Sequence, residues 1–445
     1  MKRQIEIQLN TWKKSIKRKP LLLHGARQIG KTFVLKEFAS KKFKKTHYFD
    51  LEEQKVELEG IFNNLKPAEI INKLSFISGN SINIQGDILI FDEIQAIPRA
   101  ITSLKYFNQE IPELAVAACG SNLGIAITGE SFPVGKVECL TMYPMNFLEF
   151  LEGINEDVAV RFLKSFNGEV LDDVYHNRFF ELLKIYFITG GMPDAIIIYK
   201  ANKEDLITTF SEVRKYQKQL LIHYANDFSK YSGAVNSRHI ERVFNSIPAQ
   251  LSRTQQGNSK KFKFKNVISN GFRTYEDLAN PIDWLVKTGL IFKINIVEHP
   301  SIPLLSGIVQ NSFKLFFFDV GLLGAAVGLE PNGIMLYDYG TYKRYFAENF
   351  ILQELSSYNC SSMVSWVGRT SEVEFLLQNK GRIIPVEVKA GTNTKAKSLQ
   401  AYIAKYQPEY SVKFTGKKYG YDKKNTFSFP LYMVSVFMKQ IYCLP

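Results

Sequence analysis

Residues 20–32 read PLLLHGARQIGKT, and the rest of the chain is arranged around this stretch. Leu21, Leu22, Leu23 and His24 have the look of a short buried strand, while Phe33, Val34, Leu35 and Phe38 suit a helix. Between them lies Gly25-x-x-x-x-Gly30-Lys31-Thr32, the P-loop pattern, in the strand–loop–helix context it requires. Glycines at 25 and 30 let the backbone curl until successive N–H groups face one phosphate. The helix that follows adds its unpaired N–H groups and the positive end of its dipole. Residues Gly25, Ala26, Arg27, Gln28, Ile29, Gly30, Lys31 and Thr32 are therefore expected to cradle ATP. In that arrangement the Lys31 ammonium reaches the β- and γ-phosphates, and the Thr32 hydroxyl ligates Mg²⁺.

Downstream, His47–Leu51 reads as a second strand and Asp87-Ile-Leu-Ile-Phe-Asp92-Glu93 as a third. Four apolar residues ending in two acids describe a buried parallel strand with carboxylates at its C-terminal edge. Asp92 is expected to hold Mg²⁺ through water, and Glu93 to orient or deprotonate the attacking water. Residues 54–77 and Ala100–Ile111 carry helical spacing. Leu114–Ala118 is a short strand ending in Cys119-Gly120-Ser121-Asn122, whose Ser121 or Asn122 could touch the γ-phosphate or the water. Residues 1–20 form one expected amphipathic helix, with Ile5, Leu9, Trp12 and Ile16 on its apolar face.

GARQIGKT, ILIFDEIQ and ACGSN together resemble the AAA-type ATPase domain of a widespread prokaryotic "ATP-binding protein" family, in which a C-terminal domain of unknown function follows the ATPase. YPMNFLEFL at 143–151, ITGGMPDAI at 188–196, HYANDFSKY at 223–231 and FFFDVGLL at 316–323 extend the resemblance over nearly the whole chain. It implies an AAA+ module that binds and hydrolyses ATP, with a site that often lies between subunits, so an oligomer is open. Members usually carry Arg where this chain has Lys136, and Lys is the poorer bidentate partner for phosphate. Arg27 and Arg99 lie near the motifs, and neither is assigned as an arginine finger.

The expected fold is α/β: a P-loop NTPase (AAA+) core over residues 1–150, a helical lid over 151–232, a winged-helix-like middle domain over 233–300 and a nuclease-like domain over 301–445. In the middle domain, Arg238–Leu251 and Tyr275–Thr288 read as helices and Ile291–Val297 as a strand. The last helix offers Glu276, Asp277, Asn280 and Asp283, a poor match to base edges in a major groove.

Residues 340–445 carry a second constellation. Tyr342–Ser356 reads as a helix bearing Glu348, EVEFLLQ as a strand bearing Glu374, and RIIPVEVK as a strand with Glu387 and Lys389 on one face. Acid, then acid-x-Lys on the next strand, resembles the PD-(D/E)xK nuclease-like fold. That resemblance implies carboxylates holding Mg²⁺ that activates water, with Lys389 positioning it. The upstream acid is commonly Asp, and Glu374 adds one methylene. A surface hairpin with ordinary Glu–Lys pairs would carry the same letters.

The chain has 445 residues and a net charge of +13. That charge is uneven: residues 1–45 hold fourteen Lys/Arg against Glu6 and Glu37, residues 253–273 six against none, and residues 389–424 nine Lys against Glu409 and Asp422. Such patches suit DNA or an acidic protein surface, or are solvated faces. The four cysteines form no C-x-x-C pair, which argues against a disulfide framework and fits a reducing compartment. No apolar run reaches the ~18 residues of a membrane span, and the N-terminus has no signal-peptide pattern, so the expected location is cytoplasmic. Three functions follow: an ATPase driving or gating the C-terminal domain, an ATP-dependent DNA- or protein-binding switch with slow or no turnover, or an ATPase-gated metal-dependent nuclease. Lys31, Asp92, Glu93 and Ser121 carry the first, and Glu348, Glu374, Glu387 and Lys389 form the candidate nuclease site.

Overall fold

The structure, a computed structural model, describes residues 1–121, 132–232, 234–255, 261–267, 275–336, 342–360, 362–391, 396–422 and 425–442. The chain divides into two compact units, Met1–Tyr143 with Lys287–Gly289, and Pro144–Val286 with Leu290–Pro445.

The first unit is built on a five-stranded sheet of β1 (Leu21–His24), β2 (Thr46–Asp50), β3 (Ile88–Asp92), β4 (Ala115–Gly120) and β5 (Glu138–Thr141). Their order is β2-β3-β4-β1-β5, with every neighbour pair parallel. Parallel strands need crossovers, and the Lys31–Lys42, Pro67–Ser78 and Pro98–Glu110 helices supply them. Because both faces are covered, β3 and β4 are buried along their whole length, as unbroken apolar runs require. One side of the sheet packs Leu22, Phe49, Leu89, Phe91 and Val116 against Leu74, Leu104 and Phe107 of the helices.

Two expectations for this unit change. The N-terminal helix covers only Ile5–Lys14, burying Ile5, Leu9 and Trp12. Ile16 lies beyond it and is fully exposed, because the Trp12 indole N–H donates to the Lys19 carbonyl at 2.7 Å and folds the following chain back. The stretch expected as one helix over 54–77 is broken into Lys55–Leu58, a 3-10 turn over Glu59–Asn63, and Pro67–Ser78. Pro67 explains the break, since a proline fits the first turn of a helix and not its interior. Strand β5 was not expected from the sequence pattern.

The second unit holds an eight-stranded mixed sheet of β6 (Ile291–Val297), β7 (Ile308–Phe317), β8 (Met363–Val367), β9 (Glu372–Asn379), β10 (Arg382–Val388), β11 (Ser411–Thr415), β12 (Gly420–Asp422) and β13 (Thr426–Pro430). Its order is β12-β13-β11-β10-β9-β8-β6-β7. Strand β6, expected as the wing of a separate domain, pairs antiparallel with β7 and parallel with β8, so it belongs to the same sheet as the carboxylate strands β9 and β10. The helical part runs through Phe147–Gly153, Asp157–Ser165, Asp173–Thr189, Pro193–Ala201, Leu206–Ser232 and Ala234–Gln255. The last of these begins before Arg238 and runs past Leu251, the bounds expected for it.

Three of the sequence motifs meet in the core of this unit. Asp319, fully buried, accepts the Gly191 N–H at 2.6 Å and the Leu322 N–H at 2.9 Å. The Met145 N–H donates to the Gly191 carbonyl at 2.7 Å, and the Tyr186 hydroxyl donates to the Met145 carbonyl at 2.5 Å. A Cβ on Gly190 would stand 2.2 Å from Asp319 Oδ1, so the glycine pair lets backbone approach carboxylate. Burial pushes the Asp319 carboxyl up to about 6, and the backbone donors hold it from going further. The segments at 143–151, 188–196 and 316–323 thus build one buried polar joint, which is structural work.

Candidate nucleotide site and carboxylate cluster

The loop after β1 takes the shape its glycines permit. Gly25 has φ +147° and Gly30 φ +91°, both outside the range of ordinary L-residues. A Cβ on Gly25 would sit 2.2 Å from the Met142 carbonyl oxygen. Gly30 precedes the Lys31–Lys42 helix with no side-chain cap, leaving the first N–H groups of that helix for an anion. Arg3 clamps the loop from outside, with Nη1 on the Ile29 carbonyl at 2.8 Å and Nη2 on the Tyr143 carbonyl at 2.6 Å. Sequence reading passed over Arg3, since one basic residue in a lysine-rich terminus carries no signal.

Lys31 is buried, and its ammonium rests on the Gly25 and Ala26 carbonyls at 3.0 and 2.8 Å. Burial lowers its pKa, against the pull of Glu93, Cys119 and Asp92. A buried ammonium held by neutral acceptors is under-compensated, and an anion would complete it. Arg27 faces Glu52 at 3.6 Å.

Asp92, at the end of β3, collects donors from every side. Thr32 Oγ1 donates to its Oδ2 at 2.6 Å, the Tyr48 hydroxyl to the same oxygen at 2.9 Å, Cys119 Sγ to Oδ1 at 2.8 Å and the Glu93 N–H to Oδ1 at 2.9 Å. Burial and the Asp92 charge push both the Tyr48 hydroxyl and the Cys119 thiol to higher pKa, so both stay protonated donors. Tyr48 and Cys119 are the site residues that sequence reasoning missed. Tyr48 lies in the middle of β2 and Cys119 next to the last residue of β4, the two neighbours of β3, and only the strand order brings them together.

Glu93 has φ +43°, a left-handed conformation that costs about 1–3 kcal/mol for a non-glycine residue. Its carboxylate accepts from the Gln95 amide. Strain of this kind concentrates where a side chain must be aimed. Ser121 Oγ is buried with no hydrogen-bond partner among the described residues. Asn122 lies outside the described residues. Arg99 holds the Phe62 and Asn63 carbonyls at 3.0 and 3.1 Å, and the Lys136 N–H closes a turn onto the Pro133 carbonyl at 3.0 Å.

The donor set suits a nucleotide with its magnesium. The loop offers N–H groups and an ammonium to phosphate. Thr32 Oγ1 and Asp92 Oδ2 are hard oxygen ligands already side by side, as Mg²⁺ prefers. The orphaned Ser121 hydroxyl awaits a polar partner.

In the second unit the structure gathers all four candidate nuclease residues. Glu348 projects from the Tyr342–Ser357 helix, Glu374 from β9 and Glu387 from β10, with Lys389 just past the end of β10. Lys389 Nζ lies 2.5 Å from Glu387 Oε1 and 4.0 Å from Glu374 Oε1. The Val388 N–H donates to Glu374 Oε2 at 3.2 Å. Arg344, which sequence reading did not include, donates from Nε to Glu348 Oε1 at 2.8 Å and from Nη2 to Glu374 Oε1 at 3.1 Å. Lys314 pairs with Glu372 beside them.

Burial raises the Glu348 carboxyl. Burial and the neighbouring Glu387 push Glu374 up to about 8, with Lys389 and Arg344 opposing. The Mg²⁺ expected here does not fit this arrangement. The carboxylates already hold internal cations, and among the described residues no group of three or more His, Cys, Asp or Glu side chains stands ready to hold a metal.

Residues 17–151 match the model of the family described as "AAA domain". Residues 180–333 and 345–433 match two families described only as domains of unknown function. No curated protein matches the chain. Among solved structures, the Walker-type ATPase PABY2304 of Pyrococcus abyssi is similar at 15% identity, covering 73% of this chain and 95% of that one, with a TM-score of 0.46. The Thermotoga maritima RuvB Holliday junction branch migration motor is similar at 15% identity over 65% and 88%, TM-score 0.33. The Aeropyrum pernix ORC1 protein in complex with DNA is similar at 14% over 74% and 93%, TM-score 0.30. Likeness this distant carries no argument about activity or partner. Among the described residues no helix is long and apolar enough to cross a membrane. The family match and the strand–loop–helix geometry agree on residues 17–151 as an AAA domain.

Proposed function

We propose that the chain binds ATP with Mg²⁺ on Gly25–Thr32 and hydrolyses it. The backbone N–H groups of the loop and Lys31 bind the phosphates. Thr32 and Asp92 hold the magnesium, which neutralises charge on the β- and γ-phosphates. Glu93 orients and deprotonates the attacking water, and Ser121 contacts the γ-phosphate or that water. The observation that carries this reading is Lys31, buried and turned onto two carbonyls of its own loop, beside an Asp92 already joined to Thr32. Turnover then drives or gates the second unit.

DNA is the partner the charge favours. A cleft of about 510 Å³ in the second unit has His176, Glu181, Lys184, Lys343, Ala390 and Gly416 in its lining, with Lys184 paired to Glu181 at 2.7 Å, and it lies next in sequence to Arg344 and Lys389. Two lysines on such a cleft suit phosphate contacts that position without reading sequence.

ATP turnover by the full chain, with and without single- and double-stranded DNA at two salt concentrations, tests both parts. Lys31→Ala and Glu93→Gln are expected to cut turnover by about 10²–10³-fold, the scale of losing a transition-state contact. DNA stimulation that weakens with salt supports a phosphate-dominated contact. A wild-type chain that binds no nucleotide overturns the ATPase reading. ATP turnover indifferent to DNA overturns the DNA part alone.

A further inference from the structure

The carboxylate cluster of the second unit is filled from within. Its acids are Glu348, Glu372, Glu374 and Glu387, and its bases are Arg344, Lys314 and Lys389. Glu374 and Glu387 are each 1% exposed and Glu348 6%, whereas the Arg344 side chain is 41% exposed. The acids are therefore fixed in the sheet and helix interior, while the guanidinium reaches in from the surface. Its planar fork bridges two carboxylates from different elements, Glu348 on the helix and Glu374 on β9, as an ammonium would not. One acceptor is left over: Glu387 Oε2 is buried with no hydrogen-bond partner among the described residues. Lys389 meets only the other oxygen, Oε1, at 2.5 Å, so one buried acceptor of this carboxyl stands open to a further partner.

We propose that Arg344 is a resident cation standing where a divalent metal would sit among Glu348, Glu374 and Glu387, and that it keeps this cluster metal-free. The inference is independent of the ATPase reading, since it concerns the second unit alone. It recasts the E-x-K constellation as a cation site closed by the chain's own side chain. Removing the guanidinium leaves Glu348 and Glu374 buried without their shared partner, an uncompensated arrangement that a divalent ion can relieve.

The test is Mn²⁺ binding to the nucleotide-free full-length chain, followed by electron paramagnetic resonance and titration calorimetry, with folding checked by thermal melting. Wild type is expected to show no Mn²⁺ binding that depends on Glu387. Arg344→Met is expected to bind Mn²⁺ at least about tenfold more tightly than wild type, and the gain is expected to vanish in Arg344→Met/Glu387→Gln. Arg344→Lys keeps a charge but cannot span both carboxylates, so it is expected to fall between the two and serves if Arg344→Met does not fold. Glu387-dependent Mn²⁺ binding by wild type overturns the proposal without any variant at position 344. Folded Arg344→Met or Arg344→Lys that binds Mn²⁺ no better than wild type overturns it as well, leaving Arg344 a structural ion pair.

Discussion

Two acidic sites in this chain carry a lysine beside carboxylates, and they are finished differently. At the nucleotide loop, Lys31 rests on neutral carbonyls, and Asp92 is satisfied by neutral hydroxyl, thiol and amide donors. At the β9–β10 cluster, Lys389 and Arg344 rest on carboxylates. Neutral acceptors give up an ammonium easily when a phosphate arrives. Carboxylates do not, because charge-assisted bonds are roughly twice as strong as neutral ones. The first site is thus poised for an anion, and the second has consumed its own charge. Similar residue types produce an open, anion-ready loop or a closed ion-pair network according to what holds the cation.

The hardest way to break this contrast is at Gly25. In Gly25→Ala the new Cβ meets the Met142 carbonyl at 2.2 Å, and the backbone is held at a φ that costs about 1–3 kcal/mol. The loop can no longer close over a phosphate. Affinity for a fluorescent ATP analogue is expected to fall by at least about tenfold, while Glu387-dependent properties of the second unit stay unchanged. Retained affinity would mean that the cradle tolerates a different loop path.

The next effect separates the sites by pH. Glu374 sits at about 8 in the folded chain against an ordinary value of 4.5. Its contribution to stability is therefore fully present below pH 4.5 and is lost as pH rises through about 8. Glu374→Gln removes that titration. Near pH 7 the variant is expected to melt within a few degrees of wild type, and at pH 9 above it. Each kcal/mol recovered raises the midpoint by about 2–4 °C in a domain of this size. Asp319, pushed to about 6, and Glu354, pushed to about 8 by burial, titrate in both chains. The difference between the two melting curves isolates Glu374. Equal curves at pH 6 and pH 9 would break the account of a proton held in the cluster.

How much of this was readable from letters differs between the two sites for a physical reason. Phosphate chemistry is local: Gly25–Thr32 and Asp87–Glu93 are contiguous, and each carries its strand or helix with it. That Glu387 and Lys389 share one face was also legible, because strand alternation fixes it. Arg344 was not. Four residues before Glu348 on a helix, it reads as an ordinary surface pair, and only β9 folding alongside shows that it also holds Glu374. The wing strand β6 was placed correctly as a strand, but its partner β8 lies some seventy residues on, and no local pattern encodes that pairing. The conspicuous segments at 188–196 and 316–323 suggested a family and gave no role. Their meeting at Asp319 shows that they build a core joint.

The smallest expected effects lie around Asp92 and sharpen the idea that neutral donors keep it exchangeable. Tyr48→Phe removes a hydroxyl that donates to Oδ2 at 2.9 Å, and Cys119→Ala removes a thiol that donates to Oδ1 at 2.8 Å. A single hydrogen bond to a charged group is worth about 1.5–3 kcal/mol, less for a weak thiol donor. In each variant Asp92 keeps Thr32 and the Glu93 N–H, so the carboxylate stays in place. What changes is its aim. Steady-state ATP turnover is expected to fall by about tenfold for Tyr48→Phe and about threefold for Cys119→Ala, with nucleotide affinity in the absence of Mg²⁺ unchanged, because the hydrogen bond each variant removes is made to Asp92. A loss of Mg²⁺-free affinity in either variant would instead mean that these donors shape the loop itself. Neutral donors would then be part of the anion cradle, and the distinction between the two sites would rest on Lys31 alone.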